Sequence, residues 1–457
     1  IARYLKLNFH KCSIFIVNTS KIKSKDFIDN LSIAKKLGVE VVKNWKDIKL
    51  KRYDLIVDSI FGVGLSRPIE GVIKKIISRL NKSETPICSI DIPSGLNPDN
   101  GQIFSTCIVS DSTITYDFAK PGLLTDPGTK FSRKVFIVKL PTPDILAKDL
   151  DNHFVEESYF TNFFKTRENS SNKGTFGHVM IIGGSKNMSG AVALSALAAY
   201  KSGSGLVTLC VPRSISNTLK NKLPEAIILD IPNSLDAQTM DENKFLRSLK
   251  DNIRKKPSSV VIGPGLGNRK GLLKVIEDSL SFFDCPIIID ADGLNLISKN
   301  LDIIGKYKNR IIITPHPGEM SKLSKKSTRF VQENRIKTAI RISLEMKCIS
   351  ILKGYRTVTS NPLGEVYINS SGNVGMATGG MGDALTGIIA SFIGQGYSTI
   401  DSSILGVFVH GKAGDRIANK NSKRGILATQ VIKELPKIIS SLEKNNTVPE
   451  LTKIYNE

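Results

Sequence analysis

Ala377-Thr378-Gly379-Gly380-Met381-Gly382-Asp383-Ala384-Leu385-Thr386-Gly387 sets glycines beside a single carboxylate, and an apolar helical face then runs through Ile388, Ile389 and Phe392. Glycines leave backbone N–H groups open to a phosphate, and the N-terminus of the following helix adds its own unsatisfied donors. Asp383 falls in the first turn of that helix. It reads either as a favourable first-turn charge or as a base that takes a hydroxyl proton beside the phosphate.

The run Cys348–Leu352 leads into Lys353-Gly354-Tyr355-Arg356-Thr357. In a nucleotide clamp Lys353 would touch phosphate and Thr357 would lend a hydroxyl; the plainer reading is a solvated lysine with ordinary turn residues. No G-x-x-x-x-G-K-[ST] motif occurs. His316 stands between Pro315 and Pro317, with Glu319 three residues on. That pair either orients a substrate amide or hydroxyl, or caps a helix. Asp290, Asp292 and Asn295 either hold Mg2+–phosphate through water or form an Asp/Asn turn.

A separate set lies early in the chain. Asp58 ends an apolar run and precedes Phe61-Gly62-Val63-Gly64-Leu65-Ser66-Arg67-Pro68, and Asp91-Ile92-Pro93-Ser94-Gly95 ends a later one. Parallel strands bring their carboxyl ends together. There the two carboxylates, with Ser94 and backbone oxygens, would suit a hard cation; Asx caps are the alternative.

The elements that must carry these residues alternate between strand and helix. Ser13–Val17, Asp54–Asp58, Ile87–Asp91, Thr113–Tyr116 and Lys134–Lys139 predict strands, and Lys25–Leu37 and Gly71–Leu80 predict helices. A second α/β region begins at Gly177–Ile182. Its apolar runs end in corners at Gly183-Gly184-Ser185, at 263–267, at 290–295, at 314–319 and at Lys353-Gly354. Such corners place a cleft at the carboxyl ends of parallel strands. The expected fold class is α/β, with a first domain over 1–145, a polar connector over 146–172 and a larger domain over 173–450.

A chain of 457 residues exceeds one ordinary core. The net charge of +22 comes from scattered lysines rather than a basic stripe, which argues against a nucleic acid partner. No apolar run reaches the roughly 20 residues of a membrane-spanning helix. Six widely spaced cysteines, none in a C-x-x-C pair, read as free thiols of a cytoplasmic protein.

Over Lys173–Ile432 the ordered segments G-G-S-x-x-x-S-G-A, G-P-G-L-G, D-A-D-x-L-N, T-P-H-P-G-E, L-K-G-x-x-T and G-G-x-G-D resemble the ADP-dependent NAD(P)H-hydrate dehydratases, which are ribokinase-like. Ile1–Pro141 is similar to the later part of the Rossmann-like NAD(P)H-hydrate epimerases, through Val57–Pro68 and Asp91–Leu96. Together they resemble bifunctional enzymes that repair hydrated NADH and NADPH. The resemblance implies ADP and Mg2+ for the dehydratase, K+ for the epimerase, and a homo-oligomer in the cytoplasm. It carries Asp383 over as the base that activates the C6 hydroxyl. Lys353, Gly354, Tyr355, Arg356, Thr357, Gly380 and Gly382 fall to the nucleotide, and Ala191, Gly267 and His316 to the hydrated cofactor. Met381 stands where the family usually has Thr. In the epimerase part Asp91 is the catalytic carboxylate, Asp58 and Ser94 are potassium ligands, and Gly62, Val63, Gly64, Leu65, Ser66, Arg67 and Pro68 form the substrate loop. The family's N-G-x-x-N-G-G-D-G loop is not in the sequence, so an incomplete epimerase domain with poor epimerisation is expected. A ribokinase-like small-molecule kinase and a nucleotide-binding module without turnover are the alternatives.

Overall fold

Continuous apolar triplets such as Ile287–Ile289 and Ile311–Ile313 lack the polar alternation of a half-exposed strand, so they belong in a sheet covered on both faces. The computed structural model of the chain describes residues 1–17, 24–143, 145, 150–231, 242–253, 255–268, 271–307 and 310–444. Its contacts divide into two units, Ile1–Leu146 and Ala147–Glu457.

In the first unit, β1 (Ser13–Phe15) pairs in parallel with β2 (Glu40–Val42). A separate parallel sheet runs β3 (Ile56–Asp58), β4 (Ile87–Ile90), β5 (Ser110–Tyr116) and β6 (Ser132–Val138). The helix Gly71–Asn81 lays Ile77 on that sheet, where it packs with Ile69, Ile87 and Ile108 and with Phe61 and Leu65 of the glycine-containing loop.

The second unit contains β7 (Asn152–Val155), β8 (His178–Ile182), β9 (Leu206–Pro212), β10 (Ile227–Ile231) and β11 (Ser259–Ile262). It continues with β12 (Ile287–Ile289), β13 (Ile311–Ile313), β14 (Ile349–Leu352), β15 (Val358–Ser360) and β16 (Val366–Asn369). The spatial order is β10-β9-β8-β11-β12-β13-β14-β15-β16-β7. All neighbours are parallel except β14–β15 and β15–β16, and the Asn361–Gly364 turn closes the second of these antiparallel pairs.

Asn152–Val155, within the stretch expected to be a polar connector, forms a strand of this sheet. β7 pairs in parallel with β16, and Val155 and Phe160 enter the core beside Phe392 and Phe408. Two apolar anchors in a polar stretch carry no periodicity, which is why the strand escapes a pattern reading. Residues 146–149 and 445–450 lie outside the described residues.

The helix Met381–Gly394 crosses the helix Ser189–Lys201, and Ser195 Oγ donates to the Asp383 carbonyl at 2.8 Å. A Cβ on Gly387 would lie 2.1 Å from the Ser195 carbonyl oxygen. Gly387→Ala is therefore expected to cost about 1–3 kcal/mol by overpacking. Urea unfolding measures this, and an unchanged midpoint would show that the crossing has slack.

Among the described residues, no helix is long and apolar enough to cross a membrane. All six cysteines are free, and burial pushes Cys210 and Cys348 up to about 12, which leaves them as inert thiols.

Candidate active site

β8, β11, β12, β13 and β14 are five adjacent parallel strands, so the five corners that follow them meet along one edge of the sheet. Backbone bonds stitch them together: Gly184 N–H donates to Pro264 O at 2.8 Å, and Lys353 N–H to Pro315 O at 2.9 Å. Gly263 has φ +123°, and a Cβ there would fall 1.9 Å from Asp290 O, so only glycine lets these two corners touch. A cavity of about 410 Å3 opens above them, with Asp290, His316, Glu319, Lys353, Gly382 and Asp383 on its walls.

Lys353 Nζ lies 2.7 Å from Asp290 Oδ1, with the two side chains 19 % and 2 % exposed. Burial works against this ammonium, but the Asp290, Glu319 and Asp383 carboxylates outweigh it and hold its pKa above the ordinary value. Asp383 sits in the first turn of Met381–Gly394, behind the left-handed N-cap Gly380. Burial, and then the Asp290 carboxylate, push Asp383 up to about 6 against the pull of Lys353. Burial also raises Glu319, to about 7. A carboxylate poised near neutrality is suited to taking and returning protons.

His316 and Glu319 form a reciprocal capping box on the helix Pro317–Ser324. His316 Nδ1 accepts from Gly318 N–H at 3.0 Å and Glu319 N–H at 3.3 Å, while Glu319 Oε2 accepts from His316 N–H at 2.8 Å. Burial, followed by the Lys353 charge, lowers the His316 pKa.

Glu319→Gln keeps the box, because Gln serves at that position as Glu does. The carboxyl titrates at about 7 in the folded chain against an ordinary 4.5, so the folded state binds the proton more tightly. Stability therefore falls as pH rises from about 4.5 through about 7, by up to about 3 kcal/mol. The variant, which cannot titrate there, gains that much relative to the parent across the interval. Urea unfolding at both ends checks it, and parallel stability–pH curves would contradict it.

Other residues singled out from the sequence are placed differently. Gly382 faces the cleft, where a Cβ would lie 3.1 Å from Lys353 Nζ. Gly380 instead turns against Leu194 and Ala428. Thr357 Oγ donates to Gly354 O at 2.9 Å, Arg356 donates to Ser370 O at 2.8 Å, and Tyr355 is exposed. Ala191 and Gly267 are not among the cleft-lining residues; Ala191 packs towards Gly265, and Gly267 N–H donates to Asp292 at 2.8 Å. Asn295 accepts from Lys322 Nζ at 2.6 Å. Of the three candidate magnesium residues, Asp290 alone lines the cleft.

In the first unit, Asp58 and Ser94 meet directly. Asp58 Oδ1 accepts from Ser94 Oγ at 2.6 Å, and Oδ2 accepts from Ser94 N–H at 2.9 Å and Ser89 Oγ at 2.8 Å. Burial pushes the Asp58 pKa up in spite of these bonds. Ser94 Oγ also lies 3.3 Å from Phe61 O. Asp91 has φ +70°, and Gly62 faces its Oδ2, with a Cβ position 3.5 Å away. The structure thus gathers Asp58, Asp91, Ser94 and the start of the Gly62–Pro68 loop at the ends of β3 and β4.

Two partners escape a sequence reading. Lys120 Nζ lies 2.7 Å from Asp91 Oδ1 and 2.8 Å from Thr115 Oγ. Its position just past β5, the neighbour of β4, is the signal that would have pointed to it. Arg335 donates to Leu352 O at 2.9 Å and so braces the Lys353 corner from a helix start that nothing in its spacing marks.

A family model described as NAD(P)H-hydrate dehydratase matches residues 179–437, and one described as YjeF-related protein N-terminus matches residues 1–122. The second match gives no support to the expectation of a missing N-terminal part. The chain is 32 % identical to the bifunctional NAD(P)H-hydrate repair enzyme Nnr of Moorella thermoacetica, over 97 % of this chain and 85 % of that protein. It is 34 % identical to the Escherichia coli enzyme of the same name, over 85 % and 72 %. Among solved structures, it is similar to the ADP/ATP-dependent NAD(P)H-hydrate dehydratase of Bacillus subtilis co-crystallized with ATP/Mg2+. That match has TM-score 0.55 and 25 % identity, and covers 64 % of this chain and 98 % of the other. A ribokinase-like superfamily protein of Enterococcus faecalis matches with TM-score 0.54 and 27 % identity, over 65 % and 96 %.

Proposed function

The chain belongs to the NAD(P)H-hydrate repair enzymes, and from that premise we propose that its Ala147–Glu457 unit dehydrates the S hydrate of NADH or NADPH at the expense of ADP. The products are the reduced cofactor, AMP and phosphate. The Ile1–Leu146 unit interconverts the R and S hydrates. The observation that carries the dehydratase reading is the convergence of Asp383, Gly382 and the Lys353–Asp290 pair on one cleft.

In this reading the helix N-terminus and Lys353 receive the phosphates, and Asp383 takes the C6 hydroxyl proton as that oxygen attacks the β-phosphorus. Hydroxide is a poor leaving group and phosphate a good one, so phosphorylation prepares the loss of water. Among the described residues no three acidic, His or Cys side chains gather to hold a metal by themselves, so a divalent cation here would share the Asp290 carboxylate with the nucleotide phosphates. Asp290 would hold Mg2+, which neutralises phosphate charge when bound. His316, Ala191 and Gly267 remain assigned to the hydrated cofactor, and Gly354, Tyr355, Arg356, Thr357 and Gly380 to the nucleotide. Competition between ADP and ATP for turnover tests the donor; ATP used at least as well as ADP would overturn that choice.

In the epimerase unit, Asp91 is the catalytic carboxylate and Gly62–Pro68 holds the substrate. The oxygens of Asp58, Ser94 and Phe61 would hold a potassium ion, whose charge would offset the burial that raises the Asp58 pKa. Isolated R hydrate, with potassium and no nucleotide, should convert to S faster than in an enzyme-free control. Asp91→Ala should remove that excess while the fold is retained. Conversion that survives the substitution would assign Asp91 to structure. A cytoplasmic homo-oligomer completes the proposal, and light scattering tests the oligomer.

A further inference from the structure

Dehydration of the hydrate moves two protons, and Asp383 accounts for one. After phosphoryl transfer the C6–O bond breaks, its electron pair leaves with phosphate, and the N1 lone pair closes an N1=C6 bond. Dihydronicotinamide returns only when a C5–H bond breaks. That pair forms C5=C6, N1 regains its lone pair, and the second proton needs an acceptor at the ring.

The cleft walls hold three acids: Asp290, Glu319 and Asp383. Asp290 is tied to Lys353 at 2.7 Å, and Asp383 is engaged at the hydroxyl. His316 is excluded by its own bonding. Nδ1 accepts two backbone N–H groups, so the neutral ring carries its hydrogen on Nε2 and has no free lone pair. Glu319 remains. It is 6 % exposed, its Oε2 is fixed by His316 N–H at 2.8 Å, and its Oε1 lies 3.4 Å from His316 Nε2.

Resting on the dehydratase reading above, we propose that Glu319 is a second catalytic base, which takes the C5 proton of the nicotinamide ring after phosphate leaves. Burial pushes this carboxyl up to about 7, with Lys353, Asp290, His316 and Lys322 as the charged and titratable groups facing it. Near neutrality it is therefore divided between its two protonation states, and its ionised form can accept a proton.

The test follows AMP and reduced cofactor in parallel during a single turnover of the whole chain with S hydrate, ADP and Mg2+. In the parent the two appear together; no reduced cofactor at all would reject the dehydratase reading itself. In Glu319→Gln, AMP should form within about threefold of the parent rate, while reduced cofactor slows by about 10²-fold or more. Deuterium at C5 should then slow reduced cofactor alone. A capping role would move both products equally, so an equal fall of both, or no fall in either, overturns the proposal. The unsubstituted protein gives a second readout. Lowering the pH from about 8 to about 6 should slow reduced cofactor relative to AMP, and a constant ratio would also overturn it.

Discussion

Asp383→Asn lowers turnover of the S hydrate by about 10²–10⁴-fold while nucleotide binding persists. The substitution removes the one carboxylate in the first turn of Met381–Gly394 but keeps its size. The anion site keeps its donors without that charge: the helix N-terminus and Gly382 supply backbone N–H groups, and Lys353 stays paired with Asp290. Binding should even improve slightly, because a carboxylate beside phosphate is repulsive. In the parent, Asp383 titrates at about 6, so the rate of AMP formation should fall about tenfold per unit of pH below that value. The Asn variant should lose this limb of the profile. Single-turnover AMP release, together with calorimetric nucleotide binding on the folded variant, decides the matter. Turnover near the parent's would make Asp383 a helix-end charge and nothing more.

Lys353→Met destabilises the Ala147–Glu457 unit by about 3–5 kcal/mol. The cause is the partner left behind. Asp290 is 2 % exposed, and its Oδ1 takes its charge-assisted bond from Lys353 Nζ at 2.7 Å. Without the ammonium the buried carboxylate is uncompensated, and the Asp383 and Glu319 carboxyls lose the cation that moderates them. Asp290→Asn on the same background removes the stranded charge and should recover more than half of the loss, a coupling that a double-mutant cycle reads directly. Urea unfolding of the four proteins measures it. A loss under about 1 kcal/mol for Lys353→Met would mean that water, not Asp290, solvates this lysine.

Much of the cleft was legible because each continuous apolar run ends in Gly, Pro or Asp punctuation, and parallel strands carry such corners to one edge. Asp383 was legible as a first-turn residue, though its two readings stayed open until burial and the neighbouring carboxylates were known. The Lys353–Asp290 pair was not, because its members are 63 residues apart and meet only once β13 lies between β12 and β14. Lys120 and Asp91 are 29 apart, and the same limit applies to them. β7 was hidden for another reason: four residues beginning with Asn152 and His153 carry too little pattern to register as a strand, and its place is set by β16 and the core around Phe408.

The most direct test of the repair reaction is product stoichiometry with purified S hydrate, ADP and Mg2+. The account predicts one reduced cofactor and one phosphate for each AMP released. A stable phosphate ester formed with AMP but without reduced cofactor would make the protein a small-molecule kinase and contradict it.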